Sequence, residues 1–140
     1  MNEDQVQVIA RNSQAILVVL TPELPAIWRT ERLLTYLTKL EAADRVRVIL
    51  NRSSGSDEIS NVDIERLLRN DIHCRLPNDY RACIKAINSG RLLEPSSSKQ
   101  LYRAVNALAS EVAGLPEPEG RSGLLGIFLK PYSIGSSLNT

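Results

Sequence analysis

The 140-residue chain has the length and composition of one ordinary soluble domain. Hydrophobic residues make up 43% and charged residues 24%, and the formal net charge is +1. This charge provides no global electrostatic basis for binding DNA or an acidic membrane. The aromatic content of 4% also disfavours a surface that stacks single-stranded nucleic acid.

The number and spacing of cysteine and histidine residues do not indicate a metal site. Cys74, Cys83 and the single histidine, His73, match no zinc signature, so the favoured interpretation is two reduced, buried thiols of a cytosolic protein. The acidic residues between 57 and 65 do not fit a calcium-binding loop, and no metal site is expected. The N-terminus does not resemble a signal peptide, and no apolar run reaches the roughly 18 residues of a membrane span.

The first 42 residues predict helix, strand and helix. Residues 3–13 place apolar side chains at helical spacing, and Ala15–Leu20 is a continuous apolar run, expected of a strand buried on both faces. Thr21 as N-cap and Pro22 as first helical residue then begin a helix that extends to about Ala42.

The second predicted strand, Val46–Leu50, ends in a polar pair. Asn51 and Arg52 follow its apolar residues and lead into the polar run Ser53–Glu58. A buried strand followed by such a loop is typical of the edge of a ligand site in a parallel α/β sheet. The polar segment 77–79, at the end of the next strand, is expected to face the same crevice.

The remaining elements are one strand and three helices. Ser60 caps the third helix, and Asp71–Leu76 is the third strand. Asn78 is the predicted N-cap of helix 79–88, which Gly90 ends as a left-handed residue. The side chains expected to face inward on that helix are Tyr80, Cys83, Ile84 and Ile87. A capping box in residues 97–100 begins the last helix, which extends to about residue 113 and is closed by Gly114.

This order of elements predicts an α/β fold: a partial doubly wound, Rossmann-like sheet of three parallel strands flanked by helices. Complete doubly wound domains generally carry five or more strands, so the chain looks like the second half of a larger domain. The sheet edge along Ile16–Val19 is open, which predicts self-association or pairing with a partner strand.

Several segments, in this order, resemble the C-terminal half of a MinD/ParA-type P-loop ATPase. They are Val18–Glu23, Val48–Arg52, Ile59–Glu65, and Leu76–Tyr80 with Ala86–Gly90. The Leu-Pro-Asn-Asp-Tyr segment followed by Ala-Ile-Asn-Ser-Gly is most similar to the CpaE/TadZ branch, which serves pilus assembly and polar localisation. The similarity covers residues 3–113 and implies an ATPase portion over residues 1–114. Residues 115–140 are predicted to be a Pro/Gly linker and a short amphipathic tail.

The resemblance implies an adenine pocket formed by Asn51, Arg52, Pro77, Asn78 and Asp79. An asparagine amide offers a donor and an acceptor to the adenine edge, and an arginine can lie flat on the purine face. The alternative is purely structural, with Asn51 as a turn former and Asn78 as a helix cap.

The P-loop of the family, Gly-x-x-x-x-Gly-Lys-Ser/Thr, and its deviant form are absent from the sequence. The first strand, which ends at Leu20, has no trailing aspartate for Mg²⁺. ATP or ADP is therefore the implied ligand, but Mg²⁺ is not expected from this chain alone, and the chain should not hydrolyse ATP by itself. It is either part of a longer ATPase or a short relative that lost catalysis. The competing hypothesis is a scaffold or localisation module that binds protein partners and no nucleotide.

The resemblance also bears on partners and location. It implies a cytoplasmic protein, at the inner face of the membrane or at the cell pole, with a dimer face near Glu23 and with pilus-assembly or polar-localisation proteins as partners. Acidic neighbours offset the arginines at positions 29, 32, 45 and 47, so no specific nucleic acid is expected. Weak membrane contact through the tail is a further hypothesis; the alternatives are a free tail and one docked on its own sheet. The tail residues concerned are Leu124, Leu125, Phe128 and Leu129.

Overall fold

The computed structural model describes residues 3–115. The helices are α1 (Glu3–Asn12), α2 (Leu24–Lys39), α3 (Asn61–Leu68), α4 (Tyr80–Asn88) and α5 (Lys99–Val112), with a single 3-10 turn at Ala43–Arg45. The strands are β1 (Ile16–Leu20), β2 (Val46–Ser53) and β3 (Ile72–Pro77).

The described strands form one parallel sheet in the order β1-β2-β3. Ile16 pairs with Val46 at the start of the β1–β2 ladder, and Leu20 pairs with Leu50 at its end. The β2–β3 ladder is less regular, with register shifts on either side of the Ile49–Leu50 segment. The predicted α/β fold with three parallel strands is confirmed, and the carboxyl ends of all three strands meet at one edge.

The main core lies on the face of the sheet that α1, α2 and α3 cover. It contains Ile16, Val18 and Leu20 of β1, Val48 and Leu50 of β2, Ile72 of β3, Val6 and Ala10 of α1, Ile27, Leu34 and Leu37 of α2, Ala42, and Ile64 and Leu68 of α3. Every second residue of β1 contributes, as the alternation of side chains along a strand requires. Aliphatic packing against one face therefore holds these helices to the sheet.

The opposite face is covered at β3 and uncovered at β1. Helix α5 packs against β3 and buries Leu101 and Ala104. Leu17 and Val19 of β1 are 40% and 57% exposed. The prediction that β1 is buried on both faces is therefore wrong, because no described helix covers these alternate residues.

Helix α2 begins later than predicted. Glu23 is its N-cap and Pro25 lies in its first turn, whereas Thr21 and Pro22 precede the helix. The backbone N–H of Glu23 donates to the carbonyl oxygen of Thr21 at 2.8 Å, so these residues form a tight turn before the helix starts. Glu23 provides no side-chain cap, but its negative charge is favourable at a helix N-terminus.

Two other predicted caps are displaced by one residue. Asp79, not Asn78, caps α4. The N–H of Asn78 still donates to the carbonyl oxygen of Ser53, so the strand pairing extends to Asn78 and the helix begins one residue later than predicted. Ser98, not Ser97, is the N-cap of α5. The predicted cap at Ser60 is confirmed, since its hydroxyl accepts from the N–H of Asp63 at 3.1 Å.

The predicted left-handed conformation of Gly90 is confirmed, with φ of +63°, and Gly114, which was predicted to close α5, has φ of +65°. The predicted orientation of α4 is wrong. Tyr80 and Ile87 are 64% and 70% exposed, Cys83 and Ile84 are half-buried, and Ala82 alone is buried in this helix. The physical reason is that the extensive helix packing against β3 comes from α5.

Candidate functional site

The ends of β2 and β3 meet at the carboxyl edge of the sheet. Ser53 pairs with Pro77 in the ladder, and the N–H of Asn78 donates to the carbonyl oxygen of Ser53 at 2.9 Å. Asn51 and Arg52 directly precede Ser53, so the two polar segments singled out in the sequence lie side by side. Open parallel α/β sheets bind ligands beyond this edge.

Arg52 occupies an unusual backbone conformation. Its φ is +57°, in the left-handed region that non-glycine residues rarely adopt. The side-chain oxygen of Asn51 accepts from the N–H of Arg52 at 2.9 Å and stabilises this conformation. Within the described chain, the exposed guanidinium of Arg52 makes no hydrogen bond or ion pair, and the side-chain nitrogen of Asn51 is likewise unbonded. Both groups remain available to a ligand.

The Asp79 carboxylate is occupied by structural hydrogen bonds. It accepts from the hydroxyl of Ser98 and from the N–H of Ala82, the latter at 3.1 Å. These two bonds, of which that to Ser98 has the larger effect, lower the pKa of Asp79 below its usual value. Because Ser98 begins α5, Asp79 also links the starts of α4 and α5.

The loop between β2 and α3 is closed on itself. The N–H and hydroxyl of Ser54 both donate to the carboxylate of Asp57 at 2.8 Å, and the hydroxyls of Ser54 and Ser56 lie 3.2 Å apart. A carboxylate at the centre of this loop repels anions, so the loop is not a phosphate cradle. Its role is a structured turn at the border of the site.

Two polar arrangements were missed in the sequence. His73, which is buried, shares a 2.8 Å hydrogen bond between its Nε2 and Oε2 of Glu111, joining β3 to α5. A separate pocket beside α4 is lined by Arg81, Lys85 and Arg91. The i, i+4 spacing of Arg81 and Lys85 was a readable signal, whereas the contributions of Arg91 and Glu111 depend on tertiary structure.

Residues 3–115 contain no cluster of three or more metal-ligating side chains, and none of their helices combines the length and hydropathy needed to cross a membrane. The tail residues Leu124, Leu125, Phe128 and Leu129 lie outside the described part of the chain, as does nearly all of the predicted segment 115–140.

No protein-family model and no curated protein matches the chain. Solved structures do. A ParA family ATPase from Chlorobium tepidum TLS is 26% identical with a TM-score of 0.61, and the match covers 69% of this chain and 40% of that one. The MinD cell division protein of Aquifex aeolicus is 20% identical with a TM-score of 0.64, covering 79% and 48% of the two chains. A chain of the MinC:MinD complex of the same organism is 20% identical with a TM-score of 0.62, covering 82% and 49%.

The chain therefore has a ParA/MinD-type fold and spans about two-fifths to one-half of the length of these structures. The three-stranded parallel sheet flanked by helices corresponds to part of their Rossmann-like domain. The fold expected from the sequence resemblance is confirmed at this level.

Proposed function

We propose that the chain supplies the adenine side of an ATP site in a MinD/ParA-type ATPase of the CpaE/TadZ branch, which serves pilus assembly or polar localisation. The observation that supports this function is the hydrogen bond from the N–H of Asn78 to the carbonyl oxygen of Ser53, at 2.9 Å. It holds Asn51 and Arg52 beside Pro77 at the edge where sheets of this class bind nucleotides.

Each proposed contact uses a group that the fold leaves free. The unbonded Nδ2 of Asn51 donates to an acceptor nitrogen of the adenine ring, and the guanidinium of Arg52 lies over the purine face. Backbone carbonyl oxygens of Pro77 and Asn78 accept at the ring edge, because the N–H of Asn78 already donates to Ser53 and proline has no N–H. Asp79 contributes by fixing the turn through its cap rather than by contacting the base.

The chain contributes no recognisable phosphate site to this function. The P-loop motif, which supplies a lysine and a ring of backbone amides to the phosphates, is absent from the sequence. The Ser/Gly loop after β2 encloses Asp57. Phosphoryl transfer depends on such groups for positioning and charge neutralisation. In this proposal, catalysis and Mg²⁺ binding require residues from outside this chain.

An NMR titration of the full 140-residue chain with ADP tests the proposal. We expect saturable shifts of the backbone amides of Asn51, Arg52 and Asn78, with small changes at the opposite edge of the sheet. The variant Arg32→Gln, which removes an exposed cation from α2, is the matched control and should give the same shifts. Saturable shifts confined to other regions, or none at millimolar ADP, would contradict the nucleotide function.

A second candidate function, a partner-binding scaffold, is supported by the uncovered edge of the sheet. An apolar groove of about 420 Å³ runs between α1, β1 and α2, and its lining includes Val6, Ile9, Leu17, Val19 and Leu33. β1 has a strand neighbour on one side only within the described sheet, so its other side can accept a further strand. A second copy of the chain, or a strand of a partner protein, would complete this edge.

A further inference from the structure

A pocket with several charged side chains in its lining lies between α4 and the segment that connects it to α5. Its volume is about 540 Å³, and its walls include Arg81 and Lys85 from the helix and Arg91, Ser96 and Ser97 from the connecting segment. Pockets of this size commonly accommodate small-molecule ligands. Of the five residues proposed for the adenine site, Asp79 alone also lines this pocket.

The fold directs three cations to this pocket from two segments. Arg81 and Lys85 are four residues apart and therefore share one side of α4. Gly90, with φ of +63°, turns the chain at the end of the helix, and the N–H of Arg91 then bonds the carbonyl oxygen of Ala86 at 3.0 Å. This turn brings Arg91 back to the wall that Lys85 lines.

None of the three cationic side chains is neutralised within residues 3–115. Arg81, Lys85 and Arg91 are exposed and form no ion pair or side-chain hydrogen bond with any described residue. The three positive charges repel one another, and the carboxylates of Asp79 and Glu94 in the same lining offset only part of that repulsion. An anionic ligand would therefore gain favourable interactions with all three.

The two carboxylates that line the pocket are already hydrogen-bonded within the protein. Asp79 accepts from Ser98 and from the N–H of Ala82, and Glu94 accepts from the hydroxyl of Ser96 at 3.3 Å. They are therefore held by uncharged donors rather than by the three cations. The lining keeps an excess of one positive charge, from three cations and two carboxylates.

We propose that this pocket binds a small phosphorylated ligand, independently of the adenine site. Arginine forks pair with phosphate oxygens through two parallel hydrogen bonds, and the hydroxyl of Ser97 is a further donor. A compact anion fits better than a nucleic-acid backbone, because two carboxylates share the lining and the net charge of the whole chain is only +1.

An NMR titration of the full chain with sodium pyrophosphate, at ionic strength held constant with sodium chloride, tests this site. We expect saturable shifts at Arg81, Lys85 and Arg91. The double variant Lys85→Gln with Arg91→Gln should weaken binding by at least about tenfold, because it removes two charge-assisted contacts. The control Arg32→Gln should bind as the unchanged chain does.

Two results would overturn the proposal. One is general ionic attraction of pyrophosphate to the surface. It would appear as an unchanged dissociation constant in the double variant, or as non-saturating shifts spread over all surface cations. The other is tighter binding of a 15-base-pair DNA duplex than of pyrophosphate to the same three residues, which would make the pocket part of a nucleic-acid surface. Shifts at Asn51 and Arg52 report on the adenine proposal alone, so the failure of one site is distinguishable from the failure of the other.

Discussion

At the scale of single residues, the conformation of Asn51 and Arg52 is the feature most closely tied to the proposed function. Arg52 is one of three described non-glycine residues with positive φ, the others being Glu41 and Arg69. Glu41 and Arg69 follow helix ends, where such a conformation is ordinary. Arg52 instead lies within β2, at the edge that binds ligands in this fold.

Replacing Asn51 with aspartate separates its structural role from its binding role. Asn51→Asp keeps the oxygen that accepts from the N–H of Arg52 but removes the Nδ2 donor. We expect the melting temperature to change little and the binding of adenosine, which has no phosphate for the new carboxylate to repel, to weaken by about tenfold, the effect of losing one good hydrogen bond. Unchanged adenosine affinity, measured by calorimetry, would assign Asn51 a turn-forming role only.

The two cysteines should differ strongly in reactivity. Burial, the largest cause, and the nearby Glu111 together raise the pKa of the Cys74 thiol to about 11, against a smaller opposing effect of Arg75. Cys83 is half-buried on α4. At pH 8 we expect iodoacetamide to modify Cys83 while Cys74 reacts only after unfolding, as followed by mass spectrometry. Equal labelling rates in the folded chain would contradict the burial of Cys74.

The raised pKa of Cys74 also sets a pH dependence of stability. The protonated thiol stabilises the fold fully below the unfolded pKa of about 9, and this contribution is lost as the pH rises through about 11. A free energy of unfolding that stays constant through this range, measured beside a Cys74→Ala variant, would contradict this linkage.

At the scale of elements, the contact between β3 and α5 includes a buried polar pair. His73 and Glu111 share a 2.8 Å hydrogen bond, and the His73 side chain is 10% exposed. Glu111→Ala should destabilise the chain by about 1–2 kcal/mol, because it leaves a buried donor without a partner. Glu111→Gln retains a carbonyl acceptor, so its free energy of unfolding should fall by less. Equal decreases for the two variants in urea denaturation would mean that the hydrogen bond contributes little.

The sequence pattern predicted the elements better than their ends and their packing. β2 and β3 were recognisable because their apolar runs stop at polar pairs. The cap at Ser60 was recognisable because its capping partner Asp63 follows three residues later. Asn78 was misassigned because the β2–β3 ladder takes its N–H, which local sequence does not encode. The amphipathic pattern of α4 likewise could not show that α5 is the helix packed on β3.

The meeting of the two strand ends followed from the order of elements, whereas the basic pocket did not. Parallel strands joined by crossovers must bring their carboxyl ends to one edge, so Asn51 and Pro77 were expected to be neighbours. Arg91 reaches the pocket through the left-handed turn at Gly90. The sequence predicted that turn, but not the surface toward which it directs the next side chain.

At the scale of the whole molecule, β1 has a strand neighbour on one side only within residues 3–115. The exposed residues Leu17 and Val19 and the adjacent groove predict that the chain self-associates through β1. Val19→Lys should shift the chain toward monomer in sedimentation velocity at micromolar concentration. Val62→Lys on α3, which alters a valine of similar exposure (63% against 57%), is the control and should leave association unchanged. A concentration-independent monomer in the unchanged chain would contradict this role of the edge.

We infer that this chain binds the adenine side of a nucleotide and does not hold its phosphates at the sheet edge. The most direct test compares the dissociation constants of adenosine and ADP for the full chain, using the amide shifts of Asn51 and Arg52 as the readout. We expect the two constants to agree within about threefold, since the binding free energy comes from the base. Binding of ADP without measurable binding of adenosine would rule out an adenine site, because it would place the phosphates, and not adenine, at the centre of recognition.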